Sequence, residues 1–225
     1  MSARGKWILF GVLLVLNLPM LHRFLIRGEA EVTTTIPFRE DFNEAPDLSE
    51  NWWSTGGMWR VVEGALFSPG VKNNPLWLQA RLPDDVRIEF TAQAKGREGD
   101  VKVELFGDGS DHASGYVLIH GGWDNSVSII ARLDEHGRVV TEKDFASLAP
   151  DARVRVESRG HRVISGRAHR WRIEREGKTL RWFIDGRPVL TFEDPHPLKG
   201  PGNDRFGFSS WLNDVTYDDL VITPL

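Results

Sequence analysis

From residue 37 onward, apolar and polar side chains alternate with a period of two along most of the chain. Gly, Pro, Asn and Asp interrupt this alternation at short intervals, and no stretch of useful length has the helical period. Because alternate side chains of a strand point to opposite faces, each alternating stretch predicts a strand. The predicted strands are residues 37–42, 58–68, 75–82, 85–94, 100–107, 115–121, 126–133, 169–177, 179–186, 187–194, 204–211 and 215–223. This number of short strands predicts an antiparallel β-sandwich or barrel.

Two local features refine this picture. Asp185-Gly186 stands between two alternating stretches and predicts a β-hairpin, because such a turn needs positive φ angles that these residues tolerate. The stretch 134–166 is charged and only weakly periodic. It fits an edge hairpin or long surface loop, or alternatively a basic rim that meets an acidic ligand.

The N-terminal segment has a different character. Arg4 and Lys6 precede an uncharged, largely apolar stretch of fifteen residues, which is the order of an export signal. As a helix this stretch would span only about 22 Å, less than the roughly 30 Å of a bilayer core. Residues 1–30 are interpreted as a signal peptide cleaved after Ala30, or as an uncleaved N-terminal membrane anchor. In both cases residues 31–225 leave the cytosol, and an anchored domain would stand off the membrane on the segment GEAEVTTTIP.

Composition narrows the function classes. The chain has no cysteine, which excludes a disulfide framework and a thiolate metal site. About 195 residues follow the leader, enough for a single sandwich domain over residues 31–225. The net charge is −4 with both signs interspersed, so the basic stripe typical of a nucleic-acid-binding protein is missing. The seven histidines lack zinc-binding spacings, and we expect neither a metal nor a cofactor.

Three stretches together resemble a known superfamily. They are FREDFNEAPDLSENWWSTGGMWRVVEGALFS near the start, HRWRIEREGKTLRWFIDGRPVLTFED late in the chain, and the closing DRFGFSSWLNDVTYDDLVITPL. In this order they resemble the concanavalin A-like lectin and glucanase superfamily, in particular bacterial laminin-G-like modules and the 3-keto-disaccharide hydrolase-like family. The resemblance implies an all-β, antiparallel jelly-roll sandwich whose last strand returns beside the first.

Catalysis has less support in the sequence. Laminarinase-like hydrolases of this superfamily carry Glu-x-Asp-x-Glu or Glu-x-Asp-x-x-Glu on one strand, which puts the carboxylates on one face. Neither run occurs here, and the Asn-Ser-Gly-Ile and Glu-x-Gln signatures of the 3-keto-disaccharide hydrolase-like family are absent too. The nearest candidate is the strand face shared by Asp100, Lys102 and Glu104, which is typical of a solvated face. A hydrolase that uses Glu104 with a neighbouring Asp or His120 is kept as the alternative.

Tryptophans at strand ends supply the main binding signal. Trp123 is followed by Asp124 and Asn125, and Trp211 is followed two positions later by Asn213. Sugar sites combine an aromatic ring, which packs on the apolar face of a pyranose, with amide and carboxylate groups that bond its hydroxyls. These five residues are therefore candidate ligand contacts, or else the two rings close an open end of the sandwich.

A second candidate group follows from the alternation between residues 115 and 133. Tyr116 and His120 share one face of their strand, and Arg132 shares a face with Ser128 on the returning strand. If the two faces coincide, these residues form the floor of a ligand site, with Glu104 beside them. The predicted function is an exported, non-catalytic module that binds a glycan or cell-envelope polysaccharide. A glycoside hydrolase and a purely structural envelope protein are the alternatives.

Overall fold

The computed structural model describes residues 3–25, 30–44 and 47–225. Helix α1 (Ala3–Leu25) contains the apolar N-terminal stretch. Within the described ranges, no helix combines the length and the apolar character needed to cross a membrane. The interpretation of residues 1–30 as a signal peptide or anchor stays a prediction, and the residues Gly28 and Glu29 of its cleavage site lie outside the described ranges.

The strands of the described chain form two sheets. In chain order they are β1 (Phe38–Glu40), β2 (Trp52–Ser54), β3 (Arg60–Val62), β4 (Ala65–Pro69), β5 (Leu76–Leu78), β6 (Val86–Ala94), β7 (Val101–Gly107), β8 (Tyr116–Gly121), β9 (Val127–Arg132), β10 (Arg138–Val139), β11 (Val154–Ser158), β12 (Ala168–Glu176), β13 (Thr179–Ile184), β14 (Arg187–Glu193), β15 (Arg205–Ser210) and β16 (Asp214–Pro224). The first sheet has the order β14-β13-β12-β6-β16-β4-β3, with β1 also paired to β16. The second sheet has the order β10-β11-β9-β8-β7-β15-β5-β2. Two 3-10 helices, Leu48–Glu50 and Glu142–Ser147, lie in connections.

The core lies between the two sheets and is built from alternate side chains of their strands. Burial in β6 alternates strictly, which matches its period-two sequence. Phe90 of this strand stacks on Trp171 of its own sheet, with 5.1 Å between the ring centres. It also meets Phe208 of the second sheet edge-on at 5.4 Å. Full burial of such a side chain stabilises the fold by roughly 1.5–3 kcal/mol, so rings that contact both sheets hold them together.

The predicted antiparallel β-sandwich is confirmed. The last strand returns beside the first, with Phe38 paired to Ile222. Asp185 and Gly186 have φ angles of 50° and 75° and form the predicted hairpin turn between β13 and β14. The charged stretch 134–166 contains the edge strand β10, a 3-10 helix and β11, and β10 pairs with β11 in parallel.

The chain that leads into β1 is bonded to the domain. The backbone N–H of Ala30 donates to the carbonyl oxygen of Gly109 at 3.2 Å. Those of Thr33 and Thr34 both donate to the carbonyl oxygen of Gln79, at 2.9 and 3.1 Å. The described part of the segment GEAEVTTTIP is therefore attached to the domain at Ala30, Thr33 and Thr34.

The second sheet buries side chains on both of its faces. One face of β7, β8 and β9 packs into the core between the sheets. On the other, outer face a separate buried cluster is formed by Val117, Ile119, Val127, Ile129 and Ala131. Lys102 and Glu104 of β7 pair with Ile119 and Val117, so they lie on this outer face, where both are also buried. Loops cover this face and position the candidate site.

Candidate ligand-binding site

Trp123 and Trp211 come together because the strands that precede them end at the same edge of the second sheet. β8 and β15 both pair antiparallel with β7, so they run parallel to each other. His120, the last but one residue of β8, and Ser210, the last residue of β15, are both in register with Val101 at the start of β7. The segments that follow the two strands therefore meet beside that strand end.

Trp123 lies in a turn with left-handed backbone geometry. Gly121, Trp123, Asp124 and Asn125 have φ angles between 49° and 68°. Glycine adopts this region readily, whereas each other residue there costs roughly 1–2 kcal/mol. Three such residues in succession persist only where the surroundings hold them, and strain of this kind is concentrated at functional sites.

The side chain of Asn125 supplies that support. Its Nδ2 donates to the carbonyl oxygens of Val163 and Arg97, at 2.8 and 3.2 Å. Its Oδ1 accepts from the backbone N–H of Val163 at 2.8 Å. The amide is thus engaged with the backbone of two other loops, and Asn125 fixes the turn rather than facing a ligand.

The indole ring of Trp123 contacts two neighbouring side chains and stays partly open to solvent. Its exposed fraction is 41%. The ring of His136 meets it edge-on with 5.7 Å between centres, and the guanidinium of Arg155 lies 5.2 Å from its centre. Such contacts orient the ring while leaving an apolar surface accessible to a ligand.

Trp211 lies in the segment after β15 and is exposed to a similar extent as Trp123. Its exposed fraction is 43%, and its carbonyl oxygen accepts from the backbone N–H of Lys72 at 3.0 Å. The neighbouring Asn213 is buried, and its Nδ2 donates to the carbonyl oxygen of Gly99 at 2.6 Å. Its Oδ1 accepts from the backbone N–H of Gly96 at 2.9 Å. Asn213 therefore fixes the segment that carries Trp211.

A pocket of about 490 Å³ opens between the two rings, and we call it the tryptophan pocket. Four predicted site residues line it together: Trp123, Asp124, Trp211 and Asn213. Glu98 lines it as well, and both Asp124 and Glu98 are exposed. Within the described residues these two carboxylates make no hydrogen bond or ion pair, so their oxygens are free to accept from a ligand.

A chain of ionisable groups, which we call the Lys102 network, runs from the pocket along the outer face. Lys102 Nζ lies 2.9 Å from Glu135 Oε2 and 3.6 Å from Asp100 Oδ1. The same Glu135 oxygen lies 3.4 Å from His112 Nε2, and His112 Nδ1 lies 2.7 Å from Glu104 Oε1. Lys102, Asp100 and Glu135 line the pocket, whereas Glu104 is fully buried behind it.

The network shifts the pKa values of its members in different directions. Burial alone would lower the pKa of His112, but the hydrogen bond to Glu104 and the nearby carboxylate of Glu135 outweigh burial and raise it to about 9. Burial also disfavours the charge on Glu135, yet bonds from His112 and Lys102 hold its pKa well below the usual range. At Asp100 burial dominates and raises the pKa. His112 and Glu135 are therefore both charged near neutral pH, and Asp100 binds a proton more readily than an ordinary carboxylate.

Tyr116, His120 and Arg132 share one face, as the alternation predicts, but that face is the core face. Each side chain is at most 2% exposed, and none of the three lines the tryptophan pocket. Glu104 lies on the opposite face of the sheet, so the structure does not bring it to these residues.

Tyr116 and Arg132 have structural partners inside the sandwich. Arg132 Nε lies 2.6 Å from Asp194 Oδ2, and the Tyr116 hydroxyl donates to the same oxygen at 2.7 Å. The guanidinium also donates to the carbonyl oxygens of Pro150 and Ala152, at 2.7 and 2.8 Å. A buried charge needs such complete pairing, and here it joins β8 and β9 to the connections around them.

Glu135 and His136 lie in the charged stretch after β9, where no motif in the sequence marks them as site residues. A signal was nevertheless present in β8 and β9, where apolar residues occupy consecutive positions. Such strands are covered on both faces. A charged residue such as Lys102 on a covered face requires a partner from a neighbouring loop.

No protein-family model matches the sequence, and no curated protein is similar to it. Solved structures do match the fold. The carbohydrate-binding module CBM66 from Bacillus subtilis matches with a TM-score of 0.58 and 13% identity, covering 77% of this chain and 95% of that one. A Bacillus subtilis protein with a galectin-like fold matches with a TM-score of 0.52 and 14% identity, covering 88% of this chain and 97% of that one. The chain shares the jelly-roll β-sandwich fold of these structures.

Other jelly rolls with this arrangement come from different kinds of glycan-handling protein. The carbohydrate recognition domain of Emp47p has a TM-score of 0.51 and 14% identity, covering 83% of this chain and 94% of that one. A structure reported for endo-acting O-glycanases of human gut bacteria has a TM-score of 0.56 and 16% identity, covering 84% and 98%. At such identities these similarities establish the jelly-roll fold alone.

Proposed function

We propose that this jelly-roll protein is an exported glycan-binding module whose ligand lies in the tryptophan pocket. The observation that carries the proposal is the pair of half-exposed rings, Trp123 and Trp211, which line one pocket although they are far apart in the sequence. Similarity to CBM66 and to the Emp47p carbohydrate recognition domain supports it.

Each part of the pocket has a task in sugar binding. The apolar face of a pyranose packs against an indole ring, which excludes water from both surfaces. The exposed carboxylates of Asp124 and Glu98 accept hydrogen bonds from sugar hydroxyls. Asn125 and Asn213 act indirectly, since their amides hold the turns that present the two rings.

The charge of the residues that line the pocket indicates which class of glycan it binds. Four carboxylates line it: Glu98, Asp100, Asp124 and Glu135. Lys102 is the one lysine or arginine among the described residues that line the pocket, and its ammonium is already paired with Glu135. An acidic pocket repels uronic acids and sulfated sugars. The ligand is therefore a neutral glycan or one that carries amino groups.

One observation favours a glycoside hydrolase as the second candidate. Asp100 and Glu135 both lie within 4 Å of Lys102 Nζ, at 3.6 and 2.9 Å, which brings the two carboxylates close together in the pocket. Their pKa values are displaced in opposite directions, as in acid and base pairs of glycosidases. Asp100 and Glu135 are therefore the candidate catalytic carboxylates in place of Glu104, which is buried and bonded to His112. Glycan cleavage that is abolished in both Asp100→Asn and Glu135→Gln would favour this candidate.

The proposal also includes export of the domain from the cytosol. Residues 1–30 serve as a signal peptide or as an N-terminal anchor, and residues 31–225 work outside the cytosol. The support is the order of Arg4 and Lys6 before an apolar helix, α1. Labelling of the domain by a membrane-impermeant reagent in intact cells tests this placement.

A glycan array probed with the full chain tests the binding proposal. Trp123→Ala and Trp211→Ala are expected to lose at least tenfold in affinity for any glycan that binds. Trp53→Ala is the matched control, because Trp53 is 38% exposed and does not line the pocket. Absence of binding to every glycan, or equal loss in the Trp53 variant, would overturn the proposal.

A further inference from the structure

A second pocket lies beside the end of β8, next to the hairpin turn at Asp185. It has a volume of about 360 Å³ and shares no lining residue with the tryptophan pocket. The loop around residues 160–162, the hairpin turn at Asp185 and the end of β8 enclose it. We call it the histidine-arginine pocket, after the residues that dominate its lining: His120, His161, His169, Arg162, Arg167 and Arg187.

The charges of this pocket do not balance. Asp185 is the only carboxylate among its described lining residues. Its Oδ2 lies 3.0 Å from Arg167 Nη2 and 3.0 Å from His169 Nδ1, so its charge is already paired. Arg162 and Arg187 make no ion pair with any described residue. The lining therefore holds an excess of positive charge from two guanidinium groups.

His120 forms a buried part of the pocket lining and is a second, independent indication of a ligand. Its side chain is 1% exposed, and its Nδ1 has no hydrogen-bond partner among the described residues. His169 beside it is fully bonded, since its Nδ1 contacts Asp185 and its Nε2 accepts from the backbone N–H of Ile164 at 3.3 Å. Because His120 lines the pocket and its ring makes no hydrogen bond with a described residue, the imidazole is left able to bond a ligand there.

The protonation of His120 is suited to such a ligand. Burial, with a smaller contribution from the neighbouring His169, lowers the pKa of His120 to about 3. The ring is therefore neutral, and a neutral imidazole carries one N–H donor. It can bond an anion without adding to the repulsion between Arg162 and Arg187.

We propose that the histidine-arginine pocket binds an oxyanion. Arg162 and Arg187 supply the positive charge, and His120 supplies a neutral hydrogen-bond donor from the buried wall. A guanidinium group can form two parallel hydrogen bonds to the oxygens of a phosphate, sulfate or carboxylate. Ligands that carry one of these anionic groups therefore fit the pocket. The oxyanion is either a free inorganic ion or a charged substituent of a sugar. This site is independent of glycan binding in the tryptophan pocket.

Calorimetric titration of the full chain at constant ionic strength tests the proposal. The probes are sodium phosphate, sodium sulfate, glucose 6-phosphate and glucose 6-sulfate, with sodium chloride as reference. We expect saturable binding of at least one probe, and an affinity at least tenfold weaker in the double variant Arg162→Ala/Arg187→Ala. Tighter binding of the sugar esters identifies a sugar substituent, and equal binding of the inorganic ions identifies a free anion.

Two controls keep the result specific. Arg170→Ala removes an exposed arginine outside the pocket and is expected to change affinity less than twofold. Trp123→Ala is expected to bind the anion normally, so failure of this proposal is distinguishable from failure of glycan binding. The ring nitrogen resonances of His120 should shift on addition of phosphate. Binding no stronger than that of chloride, an equal loss in the Arg170 variant, or unshifted His120 resonances would each overturn the proposal.

Discussion

Lys102 and Glu135 form an ion pair on the outer face of the second sheet, with 2.9 Å between Nζ and Oε2. The side chain of Lys102 is 2% exposed and that of Glu135 is 13% exposed. A charge left alone in such surroundings is poorly solvated. The pair joins β7 to the turn after β9, which also carries His136, the residue that contacts Trp123.

Removal of one member of this pair should destabilise the fold. Glu135→Ala is expected to lower the free energy of unfolding by about 3 kcal/mol, because it leaves Lys102 buried without its closest charged partner. Lys178→Ala is the matched control, since it breaks the exposed pair with Glu193, 2.8 Å long, and should cost less than about 1 kcal/mol. Urea denaturation measures both values. Comparable losses in the two variants would contradict the assigned burial.

The pKa of His112 makes stability depend on pH. Its value of about 9 in the folded state exceeds the ordinary value of 6.5, so the folded chain binds the proton more tightly. This contribution is fully present below pH 6.5 and is lost as the pH rises through about 9. We expect the free energy of unfolding to fall over that interval. Denaturation at a series of pH values should show a shallower decline in His112→Gln, and an unchanged slope would argue against the pairing of His112 with Glu104 and Glu135.

The left-handed turn predicts an unusual order of variants at Asn125. Asn125→Ala loses three hydrogen bonds and keeps the unfavourable φ angle, which should cost about 3 kcal/mol of unfolding free energy. Asn125→Gly loses the same bonds but accepts positive φ, so it should cost about 1 kcal/mol less. Both should weaken glycan binding through disorder of Trp123. Thermal unfolding ranks the two, and a glycine variant less stable than the alanine variant would contradict this geometry.

The acidic lining of the tryptophan pocket predicts selectivity by charge. Equal-length oligomers of glucose or glucosamine should bind at least tenfold more tightly than oligomers of glucuronic acid at low salt. The difference should shrink as salt is raised, because exposed charges are screened. Glu98→Gln combined with Asp124→Asn should reduce it as well. Calorimetry provides the affinities, and preferential binding of the uronic acid oligomers would refute the assigned ligand class.

The fold was predictable because one physical rule governs most of the chain. Period-two alternation of apolar and polar residues indicates a strand with one buried face, and burial alternates at every position of β6. The rule is weakest in short elements at the sheet edges. β2 has three residues and β10 has two, so neither offers enough positions for a period to be recognised.

The site was predictable only in part. Trp123 and Trp211 were recognised by residue type and by position at strand ends, but their meeting depends on β15 lying beside β7, a pairing between strands distant in the sequence. Tyr116 and Arg132 do lie on one face of the second sheet, but that face is turned into the core. Alternation could not say that this face is the core face, because β8 and β9 are apolar on both faces.

The hydrogen bonds that attach Ala30, Thr33 and Thr34 to the domain have a consequence for any membrane-bound form. Ala30, the first described residue of the domain, follows Leu25, the last residue of α1, by only five positions in the sequence. Even fully extended, that length of chain reaches no more than about 18 Å. An uncleaved leader would therefore hold the binding domain close to the membrane surface, and the protein could bind only polymers that lie against the membrane. Cleavage would release the same pocket to diffuse and sample distant ones.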